Sequence, residues 1–294
     1  MKIGALIINS GCNNYCVFCA GHNTPTPQEL IQQEKIIFEN IKFFLANKYD
    51  MIEISGADPA SYKELYGLIA YLKQRFKKVR LLTHGKNLNV DLLSKAGLDE
   101  IKIPIYGPNA KIHEKITRST GSFDKSIETI KNLSNSNIKL IITSLIFKQN
   151  LNFLEMIYEL ALKYTPNFTL GMPFIIDLES SRKFYIPYNS LIGKINKLIQ
   201  HTQYQIKLID IPYCIIGFNY KYAFFSNPPE LGIQQPPSEI RTHLRNIPSY
   251  RVKIKLPFCR QCILNQKCAG FLKNDIKFYG INKRDYRNGY INQY

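Results

Sequence analysis

No apolar run in the sequence approaches the ~18 residues that a membrane-crossing helix needs. The start of the chain lacks the basic-then-apolar pattern of a secretory signal. The cysteines number seven, an odd count that rules out complete pairing into disulfides. Together these absences predict a cytoplasmic protein in a reducing compartment, without a membrane partner. Acidic residues are also scarce: 22 Asp and Glu face 39 Lys and Arg, a net charge of +17. That excess keeps an anionic partner such as RNA open. The basic residues are nevertheless dispersed, with short concentrations only at 73–80 and 251–255, and Lys, Asn, Ile and Tyr abound throughout, which points to compositional bias. With 294 residues and 45% hydrophobic content, the chain suffices for one large globular domain, or a large and a small one.

What is present starts with the cysteines, which divide into three and four. Cys12, Cys16 and Cys19 stand in a C-x3-C-x2-C spacing within residues 10–22, Ser-Gly-Cys-Asn-Asn-Tyr-Cys-Val-Phe-Cys-Ala-Gly-His. Soft thiolates select zinc, copper(I) or iron–sulfur clusters. Three thiolates on one short loop leave one iron of a four-iron cluster without a protein ligand, and an open iron suits chemistry. A zinc site completed by His22 is the competing reading, although the spacing differs from the usual paired knuckle. Far downstream come Cys214 and then, after 44 residues, Cys259, Cys262 and Cys268 in C-x2-C-x5-C. Four cysteines can close a cluster or a structural zinc site, so both readings stand for this group.

Around the cysteines the chain alternates strand-like and helix-like segments. An isoleucine-rich run at 2–9 reads as the first strand, and the cysteine loop joins it to a helix over 27–46 that Pro27 opens. Further strands are expected at 51–55, 79–83, 101–105, 138–147 and 167–172, with helices at 62–76, 92–96, 122–132, 151–164 and 188–202. Ser122 is the expected cap of its helix. Six strands with alternating helices imply parallel βαβ units: an α/β fold, a partial (β/α)6 TIM-like barrel over residues 1–204. Barrel folds bind substrates at the carboxyl ends of their strands, which is where the cysteine loop lies. A strand-like run at 205–211 opens a small C-terminal domain over 205–294, and its Pro-rich stretch 227–248 reads as irregular loop.

The first cysteine group resembles the hallmark of the radical S-adenosylmethionine (radical SAM) enzymes, C-x3-C-x-Φ-C with an aromatic at Φ, the place of Phe18. Gly56-Ala57-Asp58-Pro59, following Ser55, resembles the family's Gly-Gly-Glu-Pro turn, with Ala57 and Asp58 as departures. Thr83-His84-Gly85 is similar to a Thr-Asn-Gly turn, with His84 either a turn residue or a group at the barrel mouth. Tyr106-Gly107-Pro108, His113-Glu114, Arg118 and Gly121-Ser122-Phe123 resemble the fourth-strand region of peptide-modifying members.

The resemblance implies a four-iron, four-sulfur cluster held by Cys12, Cys16 and Cys19, whose open iron binds the amino and carboxylate groups of SAM. An electron from the reduced cluster then splits SAM into methionine and a 5′-deoxyadenosyl radical, which abstracts a substrate hydrogen. Phe18 and the turn of Ser55, Gly56, Ala57 and Asp58 would position SAM, and Arg118 would pair with its carboxylate, as a guanidinium fork suits. Pro104 stands where relatives often place a serine against the ribose, and Ser144 on the next strand is the expected substitute. Met172 is expected against the adenine, with core packing as its equal alternative.

Cys214, Cys259, Cys262 and Cys268 resemble the SPASM/twitch extensions of the same enzymes, and four cysteines imply one fully ligated auxiliary four-iron cluster that takes or relays an electron. Arg260, Lys267 and Lys273 nearby would offset its charge. Such relatives mostly modify ribosomally made peptides or proteins by crosslinking, epimerisation or oxidation, so a peptide substrate is expected. A small metabolite or RNA is the alternative substrate. An electron donor such as flavodoxin or ferredoxin is implied. The chain opens directly on its first strand, so a separate peptide-recognition protein is also expected. Outside the enzyme class stands a non-catalytic iron–sulfur or zinc-binding redox protein. No residue is singled out as proton donor, base or substrate anchor.

Overall fold

The computed structural model describes residues 1–8, 11–19, 26–174, 178–202, 206–216, 223–225, 253–268 and 270–280. Strands β1 (Ile3–Ile8), β2 (Met51–Gly56), β3 (Lys78–Leu82), β4 (Glu100–Pro104), β5 (Lys139–Leu145), β6 (Phe168–Gly171), β7 (Ile206–Ile209) and β8 (Ala223–Phe225) lie side by side in chain order. Every neighbouring pair is parallel. Helices α1 (Pro27–Ala46), α2 (Leu65–Lys73), α3 (Val90–Lys95), α4 (Ala110–Thr117), α5 (Ser122–Ser134), α6 (Leu154–Leu162), α7 (Leu178–Ser181) and α8 (Ile192–His201) fill the crossovers. This is the partial TIM-like barrel that the alternation implied, with two parallel strands beyond the six expected. The run at 205–211 supplies β7, which pairs with β6 through Thr169 opposite Lys207, so the sheet continues past residue 204.

The sequence dictates which face of the sheet meets the helices. Leu6, Ile8, Ile52, Ile54, Val79, Leu81, Ile101 and Ile103 alternate along their strands and join one core with Ile37, Ile41 and Phe44 of α1 and Ile69 and Leu72 of α2. The intervening residues point the other way. Glu53, Arg80 and Glu100 stand level across β2, β3 and β4 and form a buried ion layer. Arg80 binds Glu53 at 3.1 Å and Glu100 more closely, and Lys102 reaches Glu53 at 2.7 Å. Burial alone would raise the Glu53 carboxyl, but Lys102 and Arg80 hold it below its usual value.

Local chemistry sets the helix ends. Thr26 and Glu29 form a reciprocal capping box at the start of α1, with Pro27 behind it. At α5 the expectation needs correcting. Gly121, with φ +74°, takes the cap position, while Ser122 is the first helical residue and shares a 2.7 Å hydrogen bond with the Thr117 hydroxyl. Helix α4 was not anticipated. Its signal is Asn109, whose side chain accepts the Ile112 N–H at 3.2 Å.

Beyond the sheet, α9 (Tyr213–Ile216), the antiparallel pair β9 (Lys253–Ile254) and β10 (Phe271–Leu272), and α10 (Lys273–Tyr279) form a small unit. It docks on the segment before α8: Phe271 meets Tyr188 edge-on at 5.7 Å, and Lys253 binds Asp210 at 2.7 Å. Asp275 of α10 is buried there. Burial, with Asp210 adding repulsion, pushes its carboxyl from the ordinary 3.8 to about 6, although the Tyr185 and Tyr188 hydroxyls favour the ionised form. The folded chain keeps this proton where the unfolded chain has lost it, so stability falls as the pH rises through that window. Above it the buried charge costs about 3 kcal/mol. Asp275→Asn should therefore raise the melting temperature at pH 7.5 and leave it nearly unchanged at pH 4, which thermal melts at the two pH values will read.

Candidate active site

The loop bearing Cys12, Cys16 and Cys19 leaves the carboxyl end of β1 and is bonded to two neighbouring connections. Tyr15 and Val17 donate their N–H groups to Thr117 O and Ile116 O at the end of α4, each at 2.9 Å. From the turn after β2, Ala57 N–H reaches Ile8 O and Asp58 N–H reaches Gly11 O, both at 3.2 Å. Cys19 N–H closes on Cys16 O at 3.0 Å. Cys16 is buried, Cys12 partly exposed and Cys19 exposed. Burial pushes the Cys16 thiol up to about 12, and Cys19 and Cys12 add to the rise. Burial likewise raises Cys12, against the Asn14 N–H that points at its sulfur from 3.4 Å. His22 lies outside the described residues.

The chemistry of the place fits a cationic iron–sulfur core. Three sulfurs of one sign need positive charge between them to exist together as thiolates. Among the described residues the buried Asn14 Nδ2 group has no partner, leaving an unused donor two residues after Cys12. Behind the loop stands an aromatic wall: Phe18 stacks on Phe147 at 5.0 Å and meets Tyr106 edge-on at 5.5 Å. His113 fixes Tyr106, its Nδ1 accepting the Tyr106 N–H at 3.1 Å, and burial drives the imidazole pKa down to about 3, so it is neutral. Asn150, fully buried, donates to Tyr106 O at 3.0 Å and to Leu145 O at 2.9 Å and accepts the Phe147 N–H at 2.8 Å.

The turn after β2 needs its glycine. Gly56 has φ +142°, and a Cβ there would lie 1.9 Å from Ile8 O. Ser55 sits one residue earlier on the face of Glu53, half-buried, and Ala57 is likewise half-buried. The Asp58 carboxylate turns inward: it accepts the Thr83 hydroxyl at 2.6 Å and the Ala60 N–H at 3.3 Å, tying this turn to the end of β3. His84 is not the strained residue of the next turn, because the positive φ angles fall on Gly85 and Asn87. Arg118 is exposed and left-handed, with φ +52°, directly after α4, and its guanidinium has no ion-pair partner among the described residues.

Two expected contacts land elsewhere. Pro104 lies opposite Thr143, so Thr143 shares the interior face, while Ser144 shares the helix-side face with Leu140 and Ile142. Ser144 is buried and its hydroxyl has no partner, so it does not stand beside Pro104 to replace a ribose contact. Met172 belongs to the hydrophobic core, in keeping with its packing alternative.

Cys214, Cys259, Cys262 and Cys268 line one pocket with Tyr213, Lys255 and Phe258. Burial raises the Cys214 thiol, and Cys268, Cys259 and Cys262 each push it further. Among the described residues, no three His, Cys, Asp or Glu side chains are gathered to hold a single metal ion.

Residues 6–161 match the Radical SAM superfamily. The chain belongs to this superfamily. Membership implies a four-iron, four-sulfur cluster and SAM. The AdoMet-dependent heme synthase of Methanosarcina barkeri is 24% identical over 161 residues, covering 52% of this chain and 45% of the relative. The sporulation killing factor maturation protein SkfB of Bacillus subtilis is 29% identical over 149 residues, covering 49% of this chain and 36% of the relative. The chain thus spans less than half the length of these curated relatives. Among solved structures, Streptococcus suis SuiB bound to S-adenosylmethionine superposes with a TM-score of 0.62 at 14% identity, over 97% of this chain and 75% of that one.

Sequence reasoning missed Asn14, Lys86 and Asn150 because none belongs to a motif, yet each is buried at this site. The strained Arg118 gives a test for this radical SAM site. A non-glycine residue in the left-handed region costs ~1–2 kcal/mol. Arg118→Gly relieves that strain while adding freedom to the unfolded chain, so stability should stay within ~0.5 kcal/mol of wild type. SAM affinity should fall at least tenfold, the worth of ~1.4 kcal/mol. Thermal melts and equilibrium SAM binding on the cluster-loaded protein read the two effects separately.

Proposed function

We propose that this radical SAM enzyme modifies a ribosomally made peptide, with SAM bound at a cluster on Cys12, Cys16 and Cys19 and a second, fully ligated cluster on Cys214, Cys259, Cys262 and Cys268. The observation that carries it is the placing of the seven cysteines in two groups, three on the loop held at the strand ends and four lining one pocket. When bound, the first cluster supplies the electron that cleaves SAM. The turn of Ser55, Gly56, Ala57 and Asp58 offers its backbone to the SAM amino group, and Arg118 offers a guanidinium to its carboxylate. Phe18, braced by Phe147 and Tyr106, presents an aromatic edge at the mouth. In the second group no cysteine is missing, so its role is to accept or pass an electron rather than to bind substrate.

The peptide reading is supported by SkfB, named as a maturation protein, and by SuiB, which has been crystallised with its precursor peptide SuiA. It includes a flavodoxin- or ferredoxin-type donor, a separate recognition protein and a cytoplasmic setting. A second reading, a small metabolite, is favoured by the heme synthase, which matches 52% of the chain.

The test is anaerobic purification with iron and sulfide analysis. Wild type should carry about eight irons, and the Cys12/Cys16/Cys19→Ala variant about four. Cys19→Ala should abolish release of 5′-deoxyadenosine under reductant. About four irons with one zinc in wild type would remove the second cluster. Mass spectrometry after incubation with short peptides encoded beside the gene, or with a porphyrin precursor, separates the two substrate readings.

A further inference from the structure

Lys86 follows the turn after β3 and is almost wholly buried, yet among the described residues no carboxylate lies within hydrogen-bond distance of its ammonium. Its three acceptors are neutral: Asn13 O at 3.3 Å, the Ser119 hydroxyl at 3.3 Å and the Asn14 side-chain oxygen, closer still. Two belong to the loop between Cys12 and Cys16, and the third follows Arg118. Ser119 also donates to Asn13 O at 3.2 Å, so loop, lysine and post-α4 segment form one closed ring of bonds.

A buried cation surrounded by neutral acceptors is costly unless negative charge lies nearby. The opposite charges that act on this ammonium are Cys12, Asp58 and Cys16, with Lys125 opposing them. Asp58 accepts from Thr83 and Ala60, neutral donors that cancel none of its charge. The thiolates of the first cysteine group, whose loop supplies the Asn13 and Asn14 acceptors, share with it the charge that Lys86 is placed to offset. Reduction adds one further negative charge to a cluster held by those thiolates, and the potential of such clusters follows net charge and surrounding hydrogen bonds.

We propose that Lys86 is a positioning residue that raises the reduction potential of the SAM-binding cluster, by holding a fixed positive charge against the cysteine loop and by locking the Asn14 amide with Nδ2 turned away from the lysine. The proposal rests on the assignment of that cluster to Cys12, Cys16 and Cys19.

The experiment is a redox titration of the reconstituted full chain followed by electron paramagnetic resonance. The SAM-binding cluster is identified by the signal that SAM perturbs and that Cys12→Ala removes. Lys86→Met and Lys86→Gln, at wild-type iron content, should lower the ratio of reduced to oxidised cluster at least tenfold at the wild-type midpoint, a fall of ~59 mV for one electron. Lys86→Arg should restore most of that ratio. The second cluster's signal should not move. A Lys86→Gln chain with wild-type iron and wild-type potential overturns the proposal. So does failure of both neutral variants to take up iron while circular dichroism shows them folded, which would make Lys86 an assembly residue. A wild-type chain whose SAM-perturbed signal survives Cys12→Ala refutes the cluster assignment instead.

Discussion

Three thiols gathered at the carboxyl end of β1 repel one another as they ionise, and burial adds to that cost, as the rise of Cys16 to about 12 expresses. The surrounding structure is arranged around holding them there. The loop is too short to form its own regular structure, so its N–H groups are borrowed by Ile116 and Thr117 on one side, while Gly11 accepts from Asp58 on the other. Those two anchors bring the end of α4, and with it Arg118, against the cysteines. They also fix the turn whose Gly56 allows β2 to approach Ile8 O more closely than any side chain permits. Held from both sides, the loop keeps its place at the strand ends.

The strand and helix pattern of the barrel was legible because isoleucine, leucine and valine recur along β1 to β5 and the helix-side face is nearly all apolar. The motif residues were legible for a different reason: cysteine spacing and a glycine turn carry chemistry in the residue types themselves. What failed to show was anything decided by register. Ser144 was taken as a neighbour of Pro104 on strand proximity, but pairing sets Thr143 opposite Pro104 and turns Ser144 to the other face. Strand β7 reads correctly as a strand, and only pairing shows that it extends the barrel sheet. Lys86 was invisible because burial of a lysine is a tertiary fact. Its place after Thr83-His84-Gly85, one residue beyond a recognised turn, is the signal that could have drawn attention to it.

The positive charge of the chain also reads differently with the sheet in view. Arg80 and Lys102 are consumed inside it by Glu53 and Glu100, and Lys78 and Lys139 lie within 3.5 and 3.9 Å of Glu100. Lys86 is consumed by the cysteine loop. Arg80, Lys102 and Lys86 thus contribute to the formal +17 without presenting charge to a polyanion, whereas Lys78 and Lys139 remain exposed. Removing one member of the buried layer would strand its partner in a low-dielectric place, at a cost of ~3–5 kcal/mol. The layer is thus a structural commitment of the fold, lying below the mouth where the chemistry is placed.

The match to the superfamily ends at residue 161, so it spans β1 to β5 and most of α6, the part that carries the first cysteine group and Arg118. A heme synthase and a maturation protein each match about half of the chain at similar identity, which is what a shared cofactor site would produce and what a shared substrate would not. Past residue 161 the likeness to SuiB continues at the level of fold, across 97% of the chain. The docking of the four-cysteine unit through Phe271 on Tyr188, and of Lys253 on Asp210, sets where its cysteine pocket stands relative to the sheet.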